Sequence, residues 1–357
     1  MDKIKEYWNT ANNIAIYKDK NKFFIFIRMI TCRLLYKFGP QDYVLYNFNG
    51  KPFSKASGYM KKLELEAIQS RINKESVREL VNSKLEFNIK CRKHDLPTPD
   101  ILAIIANDGY SQYRGEFNFI ENINQLIPEL KKQGDGRFLF KPIGGSYGAG
   151  IVRFSFRDNQ ILNDDNLEVD LSDLFSTKSS ANCYILQRCL LPHSSLNQLM
   201  PDGSLGTVRM VTIGHGSELA VFLPCLRIPV GKNVTDNFSH GHPKNLIAAV
   251  DLDTGCLSRP YGPDSLGLGL VEKVDVHPSN QFKIEGFQFP FWDEMLALVN
   301  KASTDFSELK TVGWDVALTE NGPCLIEGNW RYDCDILQIS FDKGLKKELS
   351  QLLSQYS

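Results

Sequence analysis

Up to about Asn82 the apolar positions recur at helical spacing, with Phe23, Phe24, Ile27, Ile30, Leu34 and Leu35 making one stripe beside Arg28, Arg33 and Lys37. This stripe predicts a helix packed into a core; a basic helix lying on a membrane surface is the alternative reading of the same face. Ser76 to His94 predicts another helix, stopped by the prolines of Leu96-Pro-Thr-Pro99. Strand-like runs follow at Ile101 to Ile105, Phe138 to Lys141, Ile151 to Phe156, Tyr184 to Leu190, Gly206 to Ile213, Leu219 to Ile228 and Asn245 to Leu252. Helical spacing returns at Phe291 to Ser303 and Lys343 to Tyr356. Strands in runs, with helices to the side, predict an α+β fold.

Composition narrows the class without naming a chemistry. The 357 residues, 42% hydrophobic and 23% charged, are those of an ordinary globular protein with room for two or three lobes, which excludes disordered and collagen-like classes. A net charge of −1 gives no overall pull toward nucleic acid. Charge is uneven, however: between Met1 and Pro40, Lys3, Lys5, Lys18, Lys20, Lys22, Arg28, Arg33 and Lys37 face only Asp2, Glu6 and Asp19. That basic arm and its aromatic stripe suit weak peripheral contact with a membrane. The eight cysteines lack CxxC pairs, which predicts reduced thiols in a cytoplasmic protein. No signal peptide is evident, and Arg28 interrupts the apolar run Phe23 to Ile27, so no spanning helix is expected there.

Candidate chemistry sits first in Thr311-Val-Gly-Trp-Asp315-Val-Ala-Leu-Thr-Glu-Asn-Gly-Pro-Cys-Leu-Ile-Glu327-Gly-Asn329, which reads as a β-hairpin. A two-residue Asn321-Gly322 loop would set Asp315 and Glu327 on opposite faces. A three-residue loop Glu320-Asn321-Gly322, with Gly322 left-handed, pairs Thr319 with Pro323 and Asp315 with Glu327, and puts Asn329 on the same face. Three such oxygen donors suit Mg²⁺ together with nucleotide phosphates. The plain alternative is a hairpin with polar residues in solvent.

A second segment, Phe138-Leu-Phe-Lys141-Pro-Ile-Gly144-Gly145-Ser146-Tyr-Gly148-Ala-Gly150-Ile-Val-Arg-Phe, enters as a strand, turns through glycines and leaves as a strand. Its loop N–H groups can close over phosphate oxygens, with Lys141 supplying positive charge. The pattern is neither a Walker A loop nor a dinucleotide fingerprint, both of which feed a helix. Phosphate loop and carboxylate hairpin together predict a nucleotide site.

Lys141-Pro-x-x-Gly-Ser-x-Gly-x-Gly, followed distally by Asp315 and Glu327-x-Asn329, resembles the ATP-grasp superfamily, and the Gly-Trp-Asp-Val-Ala-Leu wording resembles its sugar-transfer-associated branch. The resemblance covers about Asn82 to Gln338. It implies two α+β lobes clasping ATP behind a mainly helical N-terminal region, with expected boundaries 1–81, 82–190 and 191–357. It further implies Lys84 and Lys141 as the two ATP lysines, and Gln187, Arg188 and Leu190 on the hinge strand beside adenine. Gly144, Gly145, Ser146, Gly148 and Gly150 become the phosphate loop, Arg209 a catalytic residue that reaches phosphate or the acyl-phosphate intermediate, and Asp315, Glu327 and Asn329 the Mg²⁺ ligands. Arg227 and Asn237, in a region comparable to the reacting end of peptide and amino-acid ligases, join the catalytic set with His240. Two departures stand out: Gln187 replaces a frequent glutamate, and His193 and Ser194 occupy the neighbourhood of the ribose acid.

The implied activity is an ATP-dependent carboxylate–amine ligation through an acyl phosphate, on a small-molecule sugar acid or amino acid and an amine, with no nucleic acid. Loss of the amine proton makes Asp236, His240 or His242 the candidate general base. A zinc reading of His240 and His242 lacks a third ligand. The alternatives are an ATP-grasp peptide ligase and a nucleotide-binding scaffold for a glycosyltransferase complex.

Overall fold

A computed structural model describes residues 2–105, 108–145, 150–169, 171, 183–231, 233–239 and 244–356. Five strands, β1 (Ala103–Ile105), β2 (Gly136–Pro142), β3 (Val152–Arg157), β4 (Gln160–Leu162) and β5 (Tyr184–Arg188), form an antiparallel sheet in the order β1-β5-β2-β3-β4. Seven more, β6 (Thr207–Ile213), β7 (Ala220–Ile228), β8 (Leu246–Ala249), β9 (Tyr261–Pro263), β10 (Val271–Lys273), β11 (Thr311–Thr319) and β12 (Gly322–Asn329), form a second antiparallel sheet ordered β10-β9-β8-β7-β6-β11-β12. Helices α1 (Asp2–Lys18), α2 (Lys22–Tyr36), α3 (Pro40–Leu45), α4 (Lys62–Ile72), α5 (Glu75–Asn82) and α6 (Lys84–Lys93) precede both sheets. The other α-helices among the described residues are α7 (Ile123–Gln133), α8 (Trp292–Asp305), α9 (Asp335–Ser340) and α10 (Lys346–Ser354). The α+β reading and the helical N-terminal region hold.

Strand alternation explains how the smaller sheet serves two purposes. Phe138 and Phe140 of β2 stack on Phe154 and pack with Leu126 and Leu130 of α7. Arg137, Leu139 and Lys141, the intervening residues, therefore point the other way, into a cleft between the two sheets. The larger sheet is covered on both faces. On one face Val208, Met210, Trp314 and Val316 pack with Phe87 of α6 and Met295 and Val299 of α8. On the other, Val211, Phe222, Cys225 and Ile247 pack with Ile25, Met29 and Tyr43 from the N-terminal helices and with Leu337, Leu349 and Leu353 of α9 and α10.

Two helical expectations are corrected. The span from Ser76 to His94 is not one helix, because Ser83 takes an extended conformation and its hydroxyl accepts from the Glu86 N–H at 3.2 Å, starting α6 afresh. In α2 the buried residues are Ile25, Met29 and Cys32, whereas Phe23, Phe24, Ile27, Leu34 and Leu35 are exposed. This helix is apolar around most of its circumference, so 3.6-residue periodicity supports more than one inward stripe and cannot choose between them.

Candidate active site

The break at Ser83 has a direct effect on the cleft. It places Lys84 at the first position of α6, where its N–H donates to the Ile143 carbonyl at 2.9 Å and its ammonium to the Gly145 carbonyl at 3.3 Å. Lys84 and Lys141 thus share one wall of the cleft, with Arg137 and Arg153 beside them. Burial lowers both lysine pKa values, and the nearby Glu327 carboxylate opposes that shift. Arg153 is held by Asp164 in a two-pronged pair at 3.0 and 2.5 Å. Neither Arg137 nor Arg153 was singled out in the sequence. The alternation Arg137-x-Leu139-x-Lys141 carries the signal for the first.

Register on the larger sheet builds the opposite wall. Arg209 on β6 is paired across the strands with Asp315 on β11, and Asp315 with Glu327 on β12, so the three stand in one row on one face. Thr207, two residues from Arg209, faces Arg227 on β7. Asp315 is 1% exposed, and its carboxylate accepts from Arg209 Nε at 2.5 Å and Nη2 at 3.1 Å and pairs with Arg227 Nη2 at 2.6 Å. Burial alone would raise the Asp315 carboxyl, but the two guanidiniums hold it well below the usual carboxylate range. Glu327 moves oppositely: burial raises it, and the Asp315 charge and the hydrogen bond the two share add to the rise. Gly313 makes room for this row, since a Cβ there would lie 2.7 Å from Tyr332 Cβ and 3.2 Å from Arg209 Cδ.

The Asp315–Glu327 pairing is as expected from the sequence, but the turn that delivers it is not. Gly322 has the positive φ anticipated (95°), yet it pairs with Thr319, leaving a two-residue turn, Glu320-Asn321. That register alone would place Ile326 opposite Asp315. A bulge at Ile326 absorbs the extra residue, so Val316 pairs with Leu325 and Asp315 with Glu327. Asn329 faces Gly313 and its amide donates to Glu327 Oε1 at 3.2 Å and to the Gly313 carbonyl at 3.4 Å.

The other candidates fall around this row. Arg227 Nη1 donates to Asn237 Oδ1 at 3.1 Å, and Arg227 Nε lies 3.3 Å from Asp236 Oδ2. Asp236, weighed as a general base, also accepts from the Thr207 hydroxyl at 2.6 Å; burial raises its carboxyl against the pull of Arg227. It is positioned as the partner of Arg227. Gln187, Arg188 and Leu190 border the cleft, but Gln187 uses its amide to reach the Pro99 carbonyl at 3.1 Å, and Arg188 lies over the Phe138 ring at 5.0 Å. Gly144 and Gly145 end the β2 side of the glycine loop, and Gly150, with φ 76°, begins its return. Ser146, Gly148, His240 and His242 lie outside the described residues.

Among the described residues no group of three or more His, Cys, Asp or Glu side chains is placed to hold a metal. The donors present are Asp315, Glu327 and Asn329, all oxygen-bearing. Three of the carboxylate lone-pair positions on Asp315 are taken by guanidinium N–H groups, whereas Glu327 forms no ion pair among the described residues, so its oxygens are the more available to a metal ion. Such a set fits Mg²⁺ bound jointly with phosphates, because that ion commonly takes one or two carboxylates.

Beyond Glu327 the cleft continues into a second, more polar cavity. Gln41, Asp42 and Tyr46 from the N-terminal region form part of its wall, facing Arg331 and Asp333.

The family model described as sugar-transfer associated ATP-grasp matches residues 65–353. No curated protein matches the chain in sequence. Among solved structures, the ATP-grasp ligase PsnB complexed with precursor peptide PsnA2 and AMPPNP aligns at 13% identity and TM-score 0.42, covering 80% of this chain and 62% of that one. The D-alanine-D-alanine ligase from Coxiella burnetii aligns at 9% identity and TM-score 0.41, over 78% of this chain and 58% of its own. D-cycloserine synthetase DcsG aligns at 11% identity and TM-score 0.39, over 83% and 80%. The chain thus spans less than two thirds of the first two.

Proposed function

The chain belongs to the sugar-transfer associated ATP-grasp family, and on that premise we propose that it is an ATP-dependent carboxylate–amine ligase. The reading extends to substrates: it joins an amino acid or amine to a carboxylated sugar such as a uronic acid, in surface-polysaccharide synthesis of the capsule or O-antigen kind. The observation that carries the reaction class is one cleft with Lys84 and Lys141 on one wall and Arg227, Asp315 and Glu327 on the other, with Arg209 in row with Asp315 and lining the adjoining cavity. Its sugar side is supported by the family's description and by the polar second cavity, whose wall includes Asp42, the Arg331 guanidinium paired with Glu66 and the Asp333 carboxylate paired with Lys62.

In this mechanism Lys84, Lys141 and the backbone around Gly145 bind the ATP phosphates and offset the charge that grows as a substrate carboxylate attacks the γ-phosphorus. Glu327, Asp315 and Asn329 would hold Mg²⁺, which supplies charge neutralisation at the phosphate oxygens when bound. Arg227, fixed by Asp236, Thr207 and Asn237, stands where it can orient the acyl phosphate. ADP leaves as the acyl phosphate forms; an amine then attacks the acyl carbon, the bond to phosphate breaks, and the amine proton departs with inorganic phosphate or to solvent, so no side-chain nucleophile is required.

The test is release of ADP by the full chain with ATP, Mg²⁺ and a panel of uronic acids and amino acids. ADP above background, with coupled product mass, supports the proposal; none across the panel, or AMP instead, overturns it. Glu327→Gln keeps the shape and the Asp315 ion pairs, so it should reduce turnover by about a hundredfold or more while the unfolding midpoint stays put or rises.

A further inference from the structure

Among the described residues, seven of the fourteen exposed large hydrophobic side chains lie in residues 4–35, about a tenth of the chain. Isolated exposed apolar residues are ordinary, whereas a contiguous face is not. Five of the seven belong to α2: Phe23 (59%), Phe24 (59%), Ile27 (63%), Leu34 (65%) and Leu35 (62%). At 3.6 residues per turn they occupy one arc of roughly 120°, opposite the buried Ile25, Met29 and Cys32, along a helix about 22 Å long. Trp8 extends the face, its ring 5.1 Å from that of Phe23 with Lys22 Nζ 5.0 Å from its centre.

We propose that this face of α2 docks the protein on an anionic membrane surface, lying in the interface without crossing it. Charge selects the occupant. Lys18 and Lys20, both exposed, and Lys22 sit at the end where α2 begins, and exposed Lys37 sits just past its last turn, so cations bracket the apolar arc. Residues 1–40 carry eight Lys and Arg against three acids. An amphipathic helix with aromatic and aliphatic residues on one face and cations at its margins partitions into the headgroup boundary, each cation near an anionic surface adding about fivefold to binding. A second copy meeting this face about a two-fold axis would bring like charges together, which disfavours a homodimer here. No helix among the described residues is long and apolar enough to cross a membrane, so the contact is peripheral. The inference does not depend on the ligase reading.

Removal of the arm is not a usable test, because Ile25, Met29 and Cys32 belong to the core. The test instead uses the full chain in flotation with vesicles of phosphatidylcholine alone or mixed with phosphatidylglycerol. Expected is association with the mixed vesicles at least tenfold above the neutral ones, weakening as salt is raised. The exposed-site variant Ile27→Glu/Leu34→Glu should lose association tenfold or more with an unchanged unfolding midpoint, and Lys20→Glu/Lys37→Glu should lose it on mixed vesicles only. Absence of vesicle binding, binding untouched by Ile27→Glu/Leu34→Glu, or a wild-type dimer that this variant dissociates would each overturn the proposal, the last by making the face a seam between copies.

Discussion

Asp315 keeps its charge in a position almost closed to water because two guanidiniums reach it, and the balance is decided by magnitude. Desolvating a lone carboxylate costs several kcal/mol, and breaking a buried pair by removing one partner costs about 3–5 kcal/mol. Asp315→Asn, which strands Arg209 and leaves Arg227 with Asp236 as its one carboxylate partner among the described residues, should therefore destabilise the protein by about that much at neutral pH. The sign with pH follows from the direction of the shift. The folded carboxyl is held below its unfolded value of about 4, so its contribution is fully present above that value and is lost as the pH falls toward the folded pKa. Urea midpoints of wild type and Asp315→Asn should then be well separated at pH 7 and converge as the pH drops below about 4. A separation that does not change with pH would mean that Asp315 stabilises by shape and not by charge.

At the scale of the element, the hairpin β11–β12 is held from outside by a residue with no motif around it. Asn73, fully buried, donates to the Thr311 carbonyl at 2.8 Å and the Trp330 carbonyl at 3.4 Å and accepts from the N–H groups of Lys310 at 2.8 Å and Thr311 at 3.3 Å. One side chain thus ties the entry of β11 to the exit of β12. Asn73→Ala removes four hydrogen bonds, two of them long, and at about 1–3 kcal/mol for each backbone group left unpaired it should lower stability by about 4 kcal/mol or more and loosen the Asp315–Glu327 register. Calorimetry gives the first effect, and hydrogen exchange at Thr311 to Asp315 the second; exchange no faster than wild type would remove Asn73 from the positioning of the site. Gly313→Ala tests the same element from its inner face. Its Cβ would press on Tyr332 and Arg209, so turnover should fall more than stability, as seen by comparing kcat with the unfolding midpoint. Much of this element was legible, because alternation around Asp315 and Glu327 and a glycine in the turn are local signals. The bulge at Ile326 was not: a two-residue turn plus a bulge and a three-residue turn give the same pairing beyond it, so counting residues cannot tell them apart. Ser83-Lys84-Leu85-Glu86 does hold the Ser-x-x-Glu signature of a helix start, and only the continuous helical pattern on either side concealed it.

For the whole molecule, what the sequence did not disclose is long-range. The family match begins at residue 65, yet the core on the outer face of the larger sheet is completed by residues before it. Ile25, Met29, Cys32, Tyr43, Tyr46, Phe48 and Met60 are buried with Val211, Phe222, Ile247 and Leu337, all of them distant along the chain. Periodicity shows that a helix has an apolar stripe but carries no information on which distant sheet covers it, which is why the stripe of α2 was assigned to the wrong side. The seam is also polar in one place. Gln338 accepts from the Met60 N–H at 2.7 Å and the Leu345 N–H at 3.1 Å and donates to the Met60 carbonyl at 3.0 Å and the Tyr46 hydroxyl at 3.1 Å. A chain shortened to start at residue 65 would expose the sheet side of this core. With about 1.5–3 kcal/mol for each large side chain buried, loss of seven such partners is as large as the 5–15 kcal/mol of a typical folded state. The shortened chain should therefore aggregate or bind a hydrophobic dye strongly, and should show no cooperative thermal transition. A soluble, cooperatively unfolding fragment that still releases ADP would instead make the N-terminal helices an appendage, and the cavity wall formed by Gln41, Asp42 and Tyr46 dispensable.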